Sequence, residues 1–245
     1  MPRLVAMLHL PGIVPSASSK VERSAARNLL FLSFLLSHLA LAQTPPEPAP
    51  GVTLAEFRRQ VAARSEDPNV PRSVLEYRFY QLVDGQVREA AARQSLDRLA
   101  GWAKAAQARF EAQSAPLLDV EMLRFAEANA EARLERWRAE RDVGLTLVNA
   151  LLGREPRAPL IAIMSNASPS RADSQSANDT LAARIERFDQ LLAQAQDLLA
   201  KMYQNYLFGG VTLPALLWQE EQTYQTELEY RLLLVQADRA RAADD

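Results

Sequence analysis

Apolar residues in the last third of the chain fall in alternating steps of four and three: Leu181, Ile185, Phe188, Leu192, Ala195, Leu199, Met202 and Tyr206. Such steps put every member on one stripe of an α-helix, and a stripe sustained for nearly four heptads is the signature of coiled-coil packing. A looser stripe runs through Leu123, Ala126, Ala130, Leu134, Trp137, Gly144, Val148 and Leu151, where Gly and Ala permit close helix approach. The same reading predicts five helices, at 54–64, 72–112, 117–152, 179–208 and 213–243. Thr53 caps the first, with Glu56 in the capping-box position. At a rise of ~1.5 Å per residue the four longer helices are roughly 45 to 60 Å long. No segment between them is long enough for a sheet, and "APLIAIM" at 158–164 is the sole β-like run.

The two breaks between long helices resemble each other. "RFEAQSAPLLDV" (109–120) and "NYLFGGVTLPAL" (205–216) each place an aromatic before a short polar or Gly-containing break and a leucine-rich restart after it. Each reads as the turn of an αα-hairpin. Pro116 suits the start of one returning helix; Gly209 and Gly210 end a helix, and Thr212 can cap the next with Pro214 in its first turn. Aligning Phe110 with Tyr206 also aligns Ala112 with Phe208, Val120 with Leu216 and Met122 with Trp218, the pattern of a duplication. The expected fold is all-α: two long antiparallel coiled-coil helical hairpins, elongated, with little or no β structure.

Ahead of the helices, "RNLLFLSFLLSHLALAQ" (27–43) has a basic flank, an apolar stretch from Leu29 to Leu36 and the small-residue pattern Ala40-Leu41-Ala42. That is signal-peptide grammar with cleavage after Ala42; the alternative is an N-terminal membrane anchor, disfavoured by Ser33, Ser37 and His38. The stretch before it exceeds a normal n-region and points to a start at Val21. The expected organisation is a signal peptide at 1–42, a Pro-rich linker and short helix at 43–71, a first hairpin at 72–152, a linker at 153–178 and a second hairpin at 179–245. The product would be exported, to the periplasm or in association with the outer membrane.

The leader reading changes what the composition excludes. The chain has no Cys and two His, His9 and His38, both in the leader. The mature chain would therefore lack the usual zinc and copper ligands, the Ser-His and Cys-His pairs, and the commonest general base. The formal charge is −2, and loss of Arg3, Lys20, Arg23 and Arg27 against Glu22 makes the remainder more acidic, which argues against nucleic acid as a partner. Glu127 and Glu131, or Glu220 and Glu221, lie among Arg and polar residues in helical pattern and read as solvated faces. Gly209-Gly210 has no following Lys-Ser or Lys-Thr, so no phosphate loop is present. The expectation is a protein with no catalytic residue, no cofactor and no metal.

The stretches 107–160 and 202–242 resemble the two helical hairpins of TolC-like outer membrane efflux proteins. In that family a tip turn of the form aromatic-x-x-Gly-x-x-(Ser/Pro)-x-x-Asp-Val-Leu follows a long helix, and "LLG", here at 151–153, closes the returning one. The matches are Phe110, Pro116, Leu118, Asp119 and Val120 in the first copy and Tyr206, Gly209, Val211 and Leu216 in the second. The resemblance implies a trimer whose outer-membrane barrels continue into a periplasmic helical tunnel, with the hairpin tips meeting a membrane-fusion adaptor of an efflux pump. Gln113 replaces the turn glycine and Ala215 stands where an Asp is usual, so that Asp119 alone fits the role of a gate residue. The 26 residues at 153–178 leave no room for membrane strands, so the barrel is expected to be missing.

Two functions are compatible with this reading. One is a component of an outer-membrane efflux system, exporting small molecules or ions with an adaptor and an inner-membrane pump. The alternative is a periplasmic coiled-coil scaffold or chaperone without transport activity. For the first, the partner-binding residues are at the tips: Gln113, Ser114, Pro116, Leu117 and Asp119, then Gly209, Gly210, Val211, Thr212 and Leu213. Pro116, Leu117, Val211 and Leu213 are expected to be exposed, with Gln113, Ser114, Asp119 and Thr212 as a polar rim.

Overall fold

A computed structural model describes residues 49–64, 70–165 and 175–244. The leader, its cleavage at Ala42, and both histidines lie outside the described residues. Among these, the order is β1 (Gly51–Thr53), α1 (Leu54–Arg64), α2 (Arg72–Glu111), α3 (Leu117–Leu151), β2 (Ile161–Ile163), α4 (Gln175–Leu207) and α5 (Leu213–Asp244). The fold is all-α, and the helix boundaries follow the apolar stripes closely. α4 begins four residues before its sequence pattern does. The Glu56 N–H donates to Thr53 Oγ1 at 3.3 Å, so the first helix carries its expected cap.

The expectation that no sheet could form is corrected. "APLIAIM" supplies β2, which pairs in parallel with β1 in the register Val52 to Ala162. Each strand has three residues, and each buries its central side chain while exposing the two flanking it. Such a ribbon survives because Val52 and Ala162 join a core with Phe57, Phe79, Val83, Val148 and Leu152. The Phe57 and Phe79 rings lie 5.9 Å apart. Asn149, fully buried, donates to the carbonyls of Pro156 (3.2 Å) and Ala158 (2.8 Å), fixing the chain that leads into β2.

Contacts between α2 and α3 pair rising with falling numbers: Gly85 lies against Arg141, Glu89 against Arg138, and Gln107 against Arg124. The two helices therefore run antiparallel. They approach most closely at glycines. A Cβ on Gly144 would stand 3.0 Å from the Leu82 Cα, and one on Gly85 would stand 2.7 Å from the Arg141 Cα. Along α3 the stripe read from sequence is the inner one, with Leu123, Ala130, Leu134, Trp137, Gly144 and Val148 buried.

α4 and α5 pair in the same sense, Asp189 bonding Tyr230 and the Ala195 carbonyl accepting from Thr223 Oγ1. The α4 stripe is graded. Leu199 and Tyr206 are buried, whereas Leu181, Ile185, Phe188 and Leu192 are half-buried. Near the turns α4 also meets α2, where Trp102 and Tyr203 stack at 5.1 Å. A second helix covering one end of the stripe accounts for the gradient.

The two hairpins meet through apolar clusters that they share and through buried polar groups. Glu220 was expected on a solvated face, yet it is 3% exposed and accepts from Ser95 Oγ and Arg98 Nη2, both at 2.9 Å. Glu227, 1% exposed, pairs with Arg231 at 2.7 Å and lies 3.8 Å from Arg98. Further along, Tyr80 donates to Asp238 at 3.0 Å, and Trp137 donates to the Tyr224 hydroxyl at 3.2 Å. These carboxylates face α2 because α5 is laid over the first hairpin, and each is supplied with donors there. By contrast Glu221 is half-exposed, and it bonds Arg133 at 2.8 Å.

Candidate functional site: the paired hairpin tips

Both turns are built by the same hydrogen bonds. In the first, the Gln113 N–H donates to the Phe110 carbonyl and the Ser114 N–H to the Arg109 carbonyl, each at 2.8 Å. In the second, Gly209 donates to Tyr206 at 3.0 Å and Gly210 to Asn205 at 2.8 Å. This is the left-handed C-terminal turn of the Schellman type, which satisfies carbonyls that the end of a helix would otherwise leave orphaned. Gln113 (φ 57°) and Gly209 (φ 78°) hold the left-handed position. The alignment of Phe110 with Tyr206 therefore superimposes the turns bond for bond.

The first turn has two further ties: Ser114 Oγ donates to the Arg109 carbonyl at 3.0 Å, and Arg109 Nη2 donates to the Ser114 carbonyl at 3.4 Å. Pro116 then takes an extended conformation (φ −73°, ψ 151°) immediately before α3, and its carbonyl accepts from Asp119 N–H at 3.2 Å. Thr212 performs the same backbone service for α5, accepting from Leu216 N–H at 3.2 Å.

The tips lie side by side. Tyr206 Oη donates to Asp119 Oδ2 at 2.7 Å, and the Arg109 guanidinium lies 5.2 Å from the centre of the Tyr206 ring. Burial, and then the bond to the Asp119 carboxylate, push the Tyr206 phenol up to about 12, so it stays a donor throughout the neutral range. Beneath this link Val120, Leu123, Leu213 and Leu216 form a common core with Trp102 and Tyr206.

The ten tip residues singled out by sequence divide unequally. Gln113, Ser114, Pro116, Leu117, Gly209, Gly210 and Thr212 are exposed, and Asp119 is half-buried in its bond to Tyr206. Leu213 corrects the expectation: it is 3% exposed and belongs to the tip core, and Val211 is half-buried against that core. Leu117, its counterpart in the first turn, is 49% exposed. The sequence alignment treats the two as equivalent. Burial separates them because they flank different sides of the joined tips.

The apolar surface instead comes from Phe208 (87% exposed), Leu118 (62%), Leu117 (49%) and Phe110 (37%). Sequence reasoning named Phe110 among the tip matches but placed neither Phe110 nor Phe208 among the partner-binding residues, because it took those from the breaks themselves and not from the helix ends before them. The usable signal was their place immediately before the left-handed turn, where the helix has no further turn to cover them. Large apolar groups surrounded by Gln113, Ser114 and Thr212 make a surface suited to a protein partner.

A cleft of about 980 Å³ lies elsewhere, between α2, α3 and the segment leading into β2. Its one buried acid, Glu89, is engaged by Arg93, Arg138 and Arg141 at 3.1, 3.3 and 2.8 Å. Among the described residues no group of His, Asp or Glu side chains could hold a metal ion, and no helix is long and apolar enough to cross a membrane. In comparisons with known proteins, no family model, no curated protein and no solved structure matches the chain.

Proposed function

We propose that this protein is a component of an outer-membrane efflux system, a TolC-like helical module that assembles as a homo-oligomer, a trimer by the resemblance. Its joined tips would dock a periplasmic membrane-fusion adaptor. The observation that carries the reading is the pair of hairpin turns built on the same two backbone hydrogen bonds, joined by Tyr206 and Asp119 and presenting Phe208, Leu118, Leu117 and Phe110 to solvent. Asp119 is also the acidic residue that the resemblance assigns to a gate. A partner would bury the aromatic and leucine side chains, with the polar turn residues as rim.

The test is recovery of a cognate adaptor by the full chain in a crosslinking or pull-down assay. Leu117→Arg combined with Phe208→Arg should abolish recovery and leave the circular dichroism unchanged, since both side chains are exposed. Leu213→Arg is unsuited to this purpose, because it would place a charge in the tip core. Equal recovery of wild type and double variant would overturn the docking role and leave the alternative, a periplasmic coiled-coil scaffold or chaperone without transport activity.

A further inference from the structure

The cleft between α2, α3 and the segment 156–161 has an uncommitted charge toward each end. Along its α2 wall Gln86, Glu89, Ala90, Arg93 and Asp97 fall on one helix stripe. Most of the charge in the cleft is already paired. Glu89 holds Arg93 and Arg141, and Arg141 also holds Asp142. Two groups are left over: Asp97 and Arg157 both line the cleft, both are exposed, and neither has a hydrogen bond or ion pair among the described residues.

These two stand apart along the helices. Gly144 lies against Leu82 and Gly85 against Arg141, so Asn149, further along α3, is level with α2 residues that precede Leu82. Asn149 binds the Pro156 and Ala158 carbonyls and thereby fixes the backbone of Arg157 at that end. Asp97 lies in the other direction, eleven residues beyond Gln86, which is roughly 16 Å at ~1.5 Å per residue. Apolar walls between them come from Ala90, Val143, Pro159 and Ile161. The backbone of β2 is not open to a ligand: the Gln86 amide, in the orientation that satisfies both of its ends, accepts from the Ala162 N–H at 3.2 Å and donates to the Ala162 carbonyl at 3.1 Å. Recognition therefore falls to the apolar walls and the two end charges.

We propose that this cleft binds short apolar peptides with free termini, the terminal carboxylate on Arg157 and the terminal ammonium on Asp97. One free base and one free acid separated by an apolar wall are complemented by an extended apolar chain with opposite charges at its ends. At ~3.3–3.6 Å per residue, about five residues of extended peptide span the distance. Charge also selects against simpler ligands. An anionic amphiphile would meet Asp97 as a like charge, and a cationic one would meet Arg157. The volume of about 980 Å³ accommodates such a peptide, and the exposure of Asp97, Arg157 and Ile161 keeps one side open, so that the central amides of the peptide retain water. The site uses no tip residue, and it stands whether or not the tips dock an adaptor.

The test titrates the full chain calorimetrically with a pentapeptide of alternating leucine and alanine that has free termini, with its N-acetylated form, and with its C-amidated form. Each blocked form should bind about fivefold more weakly than the free peptide, the worth of one partly solvated ion pair. The variants assign each loss to its residue. Arg157→Gln should bind the free and amidated forms alike while still discriminating against the acetylated form, and Asp97→Asn should do the reverse. Ile161→Asn should weaken all three forms together, and circular dichroism should show unchanged helicity in every variant, since these side chains are exposed. The proposal is overturned if the free peptide gives no binding at millimolar concentration, if the blocked forms bind the wild type as well as the free one, or if the two charge variants leave its preferences unchanged. Adaptor recovery by these variants should equal that of the wild type, so a failed titration refutes the peptide site and leaves the docking role standing.

Discussion

Gln113 and Gly209 occupy the same left-handed position in equivalent turns, and only the glycine is free of a Cβ there. A non-glycine residue in this region costs roughly 1–2 kcal/mol, against roughly 0.5–1 kcal/mol for the extra freedom a glycine loses on folding. Gln113→Gly should therefore stabilise the protein by about 0.5–1 kcal/mol, measured by urea unfolding, with the m-value unchanged. A loss of stability would show that the Gln113 side chain contributes something that its exposure does not reveal. At this scale the turns were legible, since Gly209-Gly210 and Pro116 announce them, whereas the contrasting burial of Leu117 and Leu213 was not. That contrast depends on how the tips adjoin, and Tyr206 and Asp119, which join them, are distant in sequence and individually ordinary.

α3 and α4 were legible because a heptad stripe is a local signal repeated many times over, and α2 and α5 because breaks bound them. The run that supplies β2 was visible at 158–164, but β1 and the pairing were not, because three residues carry almost no periodicity and the pairing joins segments more than a hundred residues apart in the chain. The glycines of α2 show where element and packing diverge. Gly101 has nothing within 4 Å of where a Cβ would stand, whereas a Cβ at Gly85 would meet the backbone of α3 at 2.7 Å. Inside a helix, replacing glycine by alanine gains ~1 kcal/mol of propensity where space allows. Gly101→Ala should accordingly raise the thermal midpoint, and Gly85→Ala should lower it, because α2 and α3 must separate along their length to admit the methyl group. Equal gains from both substitutions would mean that the helices are free to slide past each other, and that Gly85 sets no approach distance.

Across the whole molecule, the joint between the hairpins combines shared apolar clusters with buried charge. On α5 the side turned toward α2 carries Glu220, Glu227 and Asp238, residues that a composition-based reading assigns to solvent. Their burial could not be read from α5 alone, since it depends on Ser95 and Arg98 arriving from another hairpin. Arg98 is the shared element, bonding Glu220 at 2.9 Å and lying 3.8 Å from Glu227. Removing one partner of a buried ion pair typically costs 3–5 kcal/mol, because the remaining charge keeps its desolvation penalty without its attraction. Glu220 would retain Ser95 and Glu227 would retain Arg231, which places Arg98→Met near the lower end, about 3 kcal/mol. Arg59→Met provides the control: Arg59 pairs with Glu56 at 3.4 Å with three quarters of its side chain exposed, and its loss should change stability by no more than ~0.5 kcal/mol. Unfolding followed by circular dichroism measures both. Similar small effects would place the stability of the joint in the aromatic contacts near the tips, whereas the expected difference makes Arg98 the residue through which the second hairpin is held on the first.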